Sequence, residues 1–148
     1  MASRIKPRVF VDADVLIAGS ASPQEHSASQ VVLKMAEITL IEAIASEQVI
    51  TEVERNLQAK LPKALPVFHH LTSRCLKIVP NPPLADVHHF AGLADEKDLP
   101  ILIAAYQSDC SWLVTFNGRH FQPGFAEVTV LSPGNFVLHV RDLLTKLV

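Results

Sequence analysis

The chain has 148 residues, of which 49% are hydrophobic and 19% charged, and this balance predicts one compact domain over residues 1–148. A net charge of −2 excludes a protein that binds nucleic acid through overall positive charge. The absence of a secretion-like start and of any apolar run near the ~20 residues that cross a bilayer predicts a soluble, cytoplasmic protein. We expect Cys75 and Cys110 to be buried side chains rather than a disulfide.

The first half of the chain predicts alternating strands and helices. In chain order we expect a strand at 9–11, a helix at 26–37, a strand at 40–45, helices at 47–61 and 63–74, and a strand at 76–79. Ser46 is a suitable amino-terminal cap for the helix at 47–61. Val49, Val53 and Leu57 recur at four-residue spacing and mark the core face of that helix.

The second half continues the alternation after a proline-rich loop. We expect a short helix at 86–93, an apolar helix capped by Asp95, strands at 112–116 and 128–131, and a closing helix at 135–147. Parallel strands need crossover connections, which are usually helices. The sequence therefore predicts an α/β fold with a mostly parallel central sheet of about five strands, flanked by helices on both faces.

Polar side chains follow several of the predicted strands or open the next helix. Asp12 ends the first apolar run, Asp95 and Asp98 open the buried helix, and Asn117 follows the strand at 112–116. In open α/β sheets, ligands bind beyond the carboxyl ends of the strands. An acid such as Asp12, with apolar residues on both sides, has no simple role in a turn or a cap. We therefore expect these groups to meet at one edge of the sheet.

Two glutamates in the helix at 47–61 are candidates to join them. Glu52 and Glu54 flank the apolar stripe of that helix on opposite sides. Periodicity alone does not choose between them.

The first two acidic segments resemble those of a known family. Residues 9–16 (VFVDADVL) look like the opening strand and first acid of the PIN domains, and particularly of the VapC-like toxin ribonucleases. Residues 46–57 (SEQVITEVERNL) are similar to the second acidic motif of that family. The order glutamate, hydrophobic residue, any residue, arginine, any residue, leucine within it selects Glu52 as the matching acid.

The resemblance continues through two later motifs and covers nearly the whole chain. Residues 97–102 (KDLPIL) resemble the third motif, which makes Asp98 the matching acid and Asp95 a nearby second candidate. Residues 112–121 (WLVTFNGRHF) look like the fourth motif in the branch with Thr-hydrophobic-Asn followed by His-Phe. Four motifs in the right order and spacing make a specific signal, and they imply a single PIN-like domain.

Two positions depart from the family pattern. The residue two after the first acid is usually Asn, Ser or Thr, but here it is Asp14. The fourth position is often Asp, but here it is the neutral Asn117. One hypothesis is that Asp14 restores the missing negative charge. The other, which we prefer on the sequence alone, is that Asp14 only bonds neighbouring backbone, as short acids after strands commonly do.

The resemblance implies a metal-dependent endoribonuclease. Two unit charges about 4 Å apart repel by ~4 kcal/mol at an effective dielectric of 20, so clustered carboxylates require protons or a cation. Oxygen ligands favour Mg²⁺ or Mn²⁺. By resemblance, the metal-binding acids are Asp12, Glu52 and Asp98, with Asn117 as a supporting ligand or orienting group. Weaker candidates, for contacting the phosphate or stabilising the loop, are Thr115, Arg119 and His120.

The resemblance also implies partners. RNA is the expected substrate, a small antitoxin the expected protein partner, and a homodimer the expected assembly, with no membrane involved. A polyanionic substrate would have to meet a local basic surface. The candidate residues for such a surface are Arg4, Lys6, Arg8, Arg55, Lys60, Lys63, Arg119 and His120.

Structural explanations and other functions compete with this interpretation. The dipole of the buried helix explains acids at its start, and this is the better account of Asp95. The Asp12-Ala13-Asp14 order also resembles the opening of haloacid-dehalogenase-like phosphohydrolases, although residues 116–148 lack their paired acids after a strand. The closer alternative is a PIN-like binding module that is catalytically weak or inactive, with Asn117 as the sign of a decayed site.

Overall fold

Five parallel strands form the centre of the molecule. The structure, a computed structural model, describes residues 6–21 and 27–147. The strands are β1 (Arg8–Val11), β2 (Glu42–Ser46), β3 (Leu76–Val79), β4 (Trp112–Val114) and β5 (Thr129–Leu131). Their order across the sheet is β3-β2-β1-β4-β5, and each neighbouring pair is parallel. The predicted α/β fold with a parallel sheet is confirmed.

Helices connect these strands. They are α1 (Ala13–Ala21), α2 (Ala28–Glu37), α3 (Glu47–Lys60), α4 (Leu65–Cys75), α5 (Leu84–His89), α6 (Leu99–Gln107) and α7 (Pro133–Thr145), with short 3-10 helices at Pro62–Ala64 and Gly118–Phe121. In the described part of the chain, no helix has both the length and the apolar character that a membrane span requires.

The first helix was not predicted from the sequence. Val15, Leu16 and Gly19 of α1 are all buried. A helix that is buried on most sides has no polar face, so it lacks the 3.6-residue periodicity that marks a surface helix. For the next helix, the expected start at residue 26 lies outside the described residues. The structure begins α2 at Ala28, and the Ser27 side chain accepts a hydrogen bond from the Gln30 backbone N–H.

Of the two predicted helix caps, Ser46 occupies the cap position of α3 without a side-chain bond, and Asp95 is wrong. The Ser46 side chain makes no capping bond to α3. Instead, Oδ1 of Asn81, in the proline-rich loop, accepts a hydrogen bond of 2.7 Å from the Gln48 backbone N–H. The apolar helix begins at Leu99, so the residue before it is Asp98 and not Asp95. The Asp95 carbonyl accepts bonds from the N–H groups of Asp98 and Leu99, which forms a separate turn ahead of the helix.

The strand order places a switch point between β1 and β4. The chain moves outward from β1 through β2 to β3, then returns to the other side of β1 for β4 and β5. Crossovers of this kind are right-handed, so reversing the direction puts the helices between β3 and β4 on the opposite face of the sheet from those that precede β3. The α1–α4 helices contact one another, and α6 packs on β2 and β4. The carboxyl ends of β1 and β4 therefore flank the crevice where such folds bind ligands.

The core holds the switch point rigidly. Phe10, Ile44 and Leu113, from the three central strands, are fully buried. Cys75 and Cys110 are buried free thiols, as predicted.

Strand β4 ends at Val114, two residues before the predicted end at residue 116, because Thr115 and Phe116 turn toward the carboxylates that follow β1.

Candidate metal centre

Asp12 lies at the base of the crevice. It follows β1 directly, and only 7% of its surface is exposed. Its Oδ1 accepts a hydrogen bond of 2.7 Å from the Ala13 backbone N–H, and its Oδ2 accepts one of 2.8 Å from the Thr115 hydroxyl. The Asp12 N–H in turn donates to the Val114 carbonyl at 3.0 Å. The carboxylate is therefore fixed between the ends of β1 and β4.

Asp14 lies beside it, in the first turn of α1. Its Oδ2 accepts hydrogen bonds from the Phe116 backbone N–H at 3.0 Å and from Nδ2 of Asn117 at 2.9 Å. The Thr115 hydroxyl lies 3.3 Å from the same oxygen. These donors are about one hundred residues away along the chain, so Asp14 does more than bond its sequence neighbours.

Thr115 and Asn117 organise the two acids. Thr115 is 1% exposed, and its hydroxyl oxygen also accepts a hydrogen bond of 3.0 Å from the Asn117 N–H. Because this hydroxyl contacts both Asp12 and Asp14, it sets the spacing of their carboxylates. The Asn117 side chain is exposed and reaches Asp14 through its amide nitrogen.

The structure distinguishes the two glutamates of α3. Glu52 is half-buried, and its negative charge interacts with that of Asp12. Nε2 of Gln48, one turn earlier, lies 3.3 Å from Oε1 of Glu52 and 3.5 Å from the Lys97 carbonyl, so it links α3 to the loop before α6. Glu54 is exposed and pairs with Nε2 of His69 at 3.0 Å. Of the two glutamates, Glu52 is the one that faces the acid cluster.

A second group of ligand atoms lies on the loop before α6. One oxygen from each of Asp95 and Asp98 and one ring nitrogen of His120 lie within 4.8 Å of one another. Nδ1 of His120 is 3.4 Å from Oδ2 of Asp98, whose side chain is 14% exposed. That contact is within ion-pair range but lacks hydrogen-bond alignment, so the Asp98 oxygen has no hydrogen-bond partner. The Asp95 N–H donates to the His120 carbonyl at 2.8 Å and holds the two segments together.

Burial and neighbouring negative charge raise the pKa of Asp12 and of Asp14. Burial, together with the charge of Asp14 and to a smaller extent that of Glu52, raises the pKa of Asp12 to about 7, against the lowering effect of its hydrogen bonds from Thr115 and Ala13. Burial also raises the pKa of Asp14 and outweighs its own hydrogen bonds, and the charge of Asp98 acts in the same direction. Asp12, Asp14, Glu52 and Asp98 therefore act on one another electrostatically.

Some buried side-chain oxygens near the acids make no hydrogen bond. Among the described residues, three buried side-chain oxygens have no hydrogen-bond partner: Oδ1 of Asp14, Oδ2 of Asp98 and Oγ of Ser20. A buried polar atom without a partner costs about 1–3 kcal/mol, and more when the group is charged. Two of the three belong to the acid cluster. Hard divalent cations prefer carboxylate oxygens and would offset the repulsion between the acids, so the donor set fits Mg²⁺ or Mn²⁺.

Most of the basic candidates lie elsewhere or carry no contact here. Arg8 begins β1, at the opposite end of that strand from Asp12, and its Nη1 pairs with Oε1 of Glu42 at 3.0 Å. Arg55 lines a shallow depression with Glu54 and His69. Arg4 lies outside the described residues. Arg119, on the 3-10 helix after Asn117, is exposed.

A family model decides the relationship of the chain. The model described as the PIN domain matches residues 8–119, a span that includes every acid of the cluster. The chain belongs to the PIN domain family. Comparison with curated protein sequences finds no significant match.

Solved structures share the same fold. VapBC2 from Rickettsia felis, solved with a DNA fragment from its promoter, is 13% identical with a TM-score of 0.61, over 83% of this chain and 96% of that one. PAE2754 from Pyrobaculum aerophilum is 19% identical with a TM-score of 0.62, over 92% and 96%. FitAcB from Neisseria gonorrhoeae is 19% identical with a TM-score of 0.60, over 85% and 98%. These structures therefore share the fold over 83–92% of this chain.

Two positioning residues of this PIN domain escaped the sequence analysis. Gln48 precedes Glu52 by four residues and therefore shares its face of α3, a spacing that the sequence does show. Asn81 follows a proline in the loop after β3 and fixes the first turn of the same helix. No local signal marks Asn81, because the N–H group that it accepts from is 33 residues away.

Proposed function

We propose that this PIN domain is a metal-dependent endoribonuclease and the toxin component of a toxin–antitoxin pair. One observation carries the proposal. The charges of carboxylates from three separate parts of the chain act on Asp12 or Asp14 beside the switch point, and a buried oxygen of Asp98 has no hydrogen-bond partner. Carboxylates crowded in this way are typical of a site that holds a divalent cation, and PIN domains are generally metal-using nucleases.

The residues have distinct roles in this proposal. Asp12, Glu52 and Asp98 hold the cation, and Asn117 is a supporting ligand or orienting group. A bound Mg²⁺ or Mn²⁺ would supply an activated water and would offset negative charge on the phosphate during in-line attack. Thr115 keeps Asp12 in place through its hydrogen bond of 2.8 Å. Gln48 holds Glu52 against the loop that carries Asp98.

The surroundings suit a single-stranded polyanion. The Phe116 side chain is 53% exposed, while its backbone N–H is fixed on Asp14. An exposed aromatic ring beside a phosphate site provides a surface on which an unpaired base can stack. Arg119 and His120 follow within four residues and can offset phosphate charge, because His120 is 38% exposed and Arg119 is also open to solvent.

The comparisons support the toxin assignment. VapBC2 and FitAcB share the fold, and VapBC2 was solved with promoter DNA. We propose that the protein partner of this chain is a small antitoxin and that the chain assembles as a homodimer.

Two alternatives predict different behaviour. A PIN-like binding module would keep the fold but would show no cation dependence and no cleavage. A phosphohydrolase would use the Asp12 carboxylate as a nucleophile. Such an enzyme would release phosphate from small phosphoesters and leave RNA intact.

The test is incubation with total RNA in Mg²⁺, Mn²⁺ or EDTA, followed by a denaturing gel. We expect internal cleavage that requires the cation and disappears in Asp12→Asn. Glu54→Gln is the matched control, since Glu54 is an acid of the same region that faces His69 and should leave cleavage intact. RNA that stays whole with the native chain in both cations would contradict the proposal.

A further inference from the structure

The two acids that follow β1 use their oxygens differently. Both oxygens of Asp12 accept hydrogen bonds. In Asp14 the donors from Thr115, Phe116 and Asn117 all point at Oδ2, and the Val15 backbone N–H also acts on the carboxylate, while the buried Oδ1 makes no hydrogen bond. An acid that serves only to stabilise a loop would gain by pairing both oxygens, since an unpaired buried oxygen costs free energy. The arrangement instead leaves one oxygen of Asp14 available to a ligand.

Asn117 has the opposite geometry. A carboxylate can only accept hydrogen bonds, so the group of Asn117 that lies 2.9 Å from Oδ2 of Asp14 must be its NH₂. The Asn117 amide is therefore used as a donor to the acid. The backbone N–H of Asn117 also donates a hydrogen bond of 3.0 Å to the Thr115 hydroxyl oxygen. Asn117 thus positions Asp14 through its side-chain NH₂ group.

The charges around Asp14 complete the case. Asp12 and Asp98 both interact with its negative charge, so Asp14 is coupled electrostatically to the acid that follows β1 and to the acid that precedes α6. Its free oxygen and the unpartnered Oδ2 of Asp98 are the two buried carboxylate oxygens without partners in the described part of the chain. Each of these two oxygens is one that a cation could satisfy.

We infer that Asp14 is the fourth carboxylate ligand of the proposed cation site and that Asn117 is its positioning residue, not a ligand. The inference rests on the proposed function for the presence of a cation. The two residues exchange the roles that the family pattern gives them. The carboxylate is on Asp14, in α1, and the neutral amide is on Asn117, after β4.

Calorimetric titration with Mn²⁺ tests this without any substrate. Asp14→Asn should weaken Mn²⁺ binding by about 10- to 100-fold, the range seen when partners of metal sites are lost. Asn117→Ala should weaken it less, because the Asp14 carboxylate remains. The exchange variant, with Asp14→Asn and Asn117→Asp together, returns a carboxylate and an amide to the two ends of one hydrogen bond. It should recover most of the affinity lost in Asp14→Asn.

Asp142→Asn is the matched control, because Asp142 is an exposed acid on α7 whose side chain contacts Arg141. Its Mn²⁺ affinity should equal that of the native chain. Thermal unfolding in EDTA checks that each variant is folded, and the exchange variant answers the question if Asp14→Asn alone is too unstable.

The outcomes separate this inference from the proposed function. If the native chain binds Mn²⁺ and Asp14→Asn binds it equally well, Asp14 is not a ligand, although the cation site stands. If the exchange variant is no better than Asp14→Asn, the paired roles of the two residues are wrong. If the native chain itself binds no Mn²⁺, the proposed cation site fails and this inference fails with it.

Discussion

The two ends of the parallel sheet treat their carboxylates in opposite ways. At the amino ends of the strands, Oε1 of Glu42 lies 3.0 Å from Nη1 of Arg8 and 3.6 Å from Nζ of Lys77. At the carboxyl ends, acids interact with other acids, and burial raises the pKa of Asp12 to about 7. The first arrangement neutralises charge within the protein. The second leaves charge that only a proton or a cation can neutralise, which is the difference between a structural ion pair and a binding site.

The largest effect is expected from replacing Asp12, at the carboxyl ends of the strands. Asp12→Asn should lower RNA cleavage by about 10³-fold or more, because a metal ion supplies several kcal/mol of transition-state stabilisation. The same substitution removes a buried charge, so it should raise the free energy of unfolding in EDTA. Gel assays and urea unfolding measure the two effects. A variant that cuts RNA normally, or that is less stable without metal, would contradict this account.

The pH dependence of stability should differ between native and substituted chains. The folded-state pKa of Asp12 is raised from its usual 3.8 to about 7, so the folded protein holds this proton more tightly than the unfolded chain does. Its contribution to stability is therefore present below about pH 4 and is lost as the pH rises to about 7, by about 1.4 kcal/mol for each pH unit between those two values.

Urea unfolding in EDTA between about pH 4.5 and 7.5 measures this loss, because that range covers most of the titration. Asp12→Asn should flatten the dependence. Excess Mn²⁺ should reverse it, because the cation competes with the proton. Equal slopes in the native and Asp12→Asn chains would show that Asp12 does not titrate in this range.

The two glutamates of α3 offer a matched pair. Glu52→Gln should lower Mn²⁺ affinity and cleavage by about 10- to 100-fold, as losses near a metal commonly do. Glu54→Gln should change neither, since Glu54 pairs with His69. Calorimetry and the RNA gel measure both quantities. An unchanged affinity in Glu52→Gln, or an equal loss in Glu54→Gln, would contradict the assignment of Glu52 to the site.

A smaller effect is expected at the rim of the crevice. Phe116→Ala should weaken binding of a single-stranded oligoribonucleotide by about 5- to 150-fold, the equivalent of ~1–3 kcal/mol for one stacked base. Phe116→Trp should keep the affinity. Leu138→Ala is the control, because Leu138 is 46% exposed and lies on α7. Fluorescence anisotropy in Ca²⁺ measures binding, and unchanged affinity in Phe116→Ala would remove the stacking role.

The smallest effect is expected from replacing Arg8, at the amino ends of the strands. Arg8→Ala removes the contact with Glu42 and a hydrogen bond of 2.8 Å from Nε to the Ser108 carbonyl. We expect a loss of about 1–2 kcal/mol in unfolding free energy, since partly exposed ion pairs contribute little. Mn²⁺ affinity should not change. A change in Mn²⁺ affinity would mean that the two ends of the sheet are coupled.

The sequence was informative wherever the signal was local. Strand β1 and the acid after it share one short segment, and Glu52 and Asp98 each lie in recognisable motifs, so their placement at one edge of the sheet was predictable. The buried helix α1 was not, because it has no polar face to create a periodicity. The Asn81 cap and the Asp14–Asn117 hydrogen bond join residues far apart in the chain, so no local pattern reports them. The expectation that Asp14 bonds only neighbouring backbone was wrong, because its donors on Phe116 and Asn117 are far away along the chain.

The central claim is that the acids at the switch point share one divalent cation. Crystals grown with Mn²⁺ and measured for anomalous scattering test it most directly. The account predicts a peak within coordination distance of Asp12 and Asp98, about 2.0–2.6 Å from their oxygens. A map without a peak at the carboxyl ends of β1 and β4, from crystals that contain Mn²⁺ elsewhere, would contradict it.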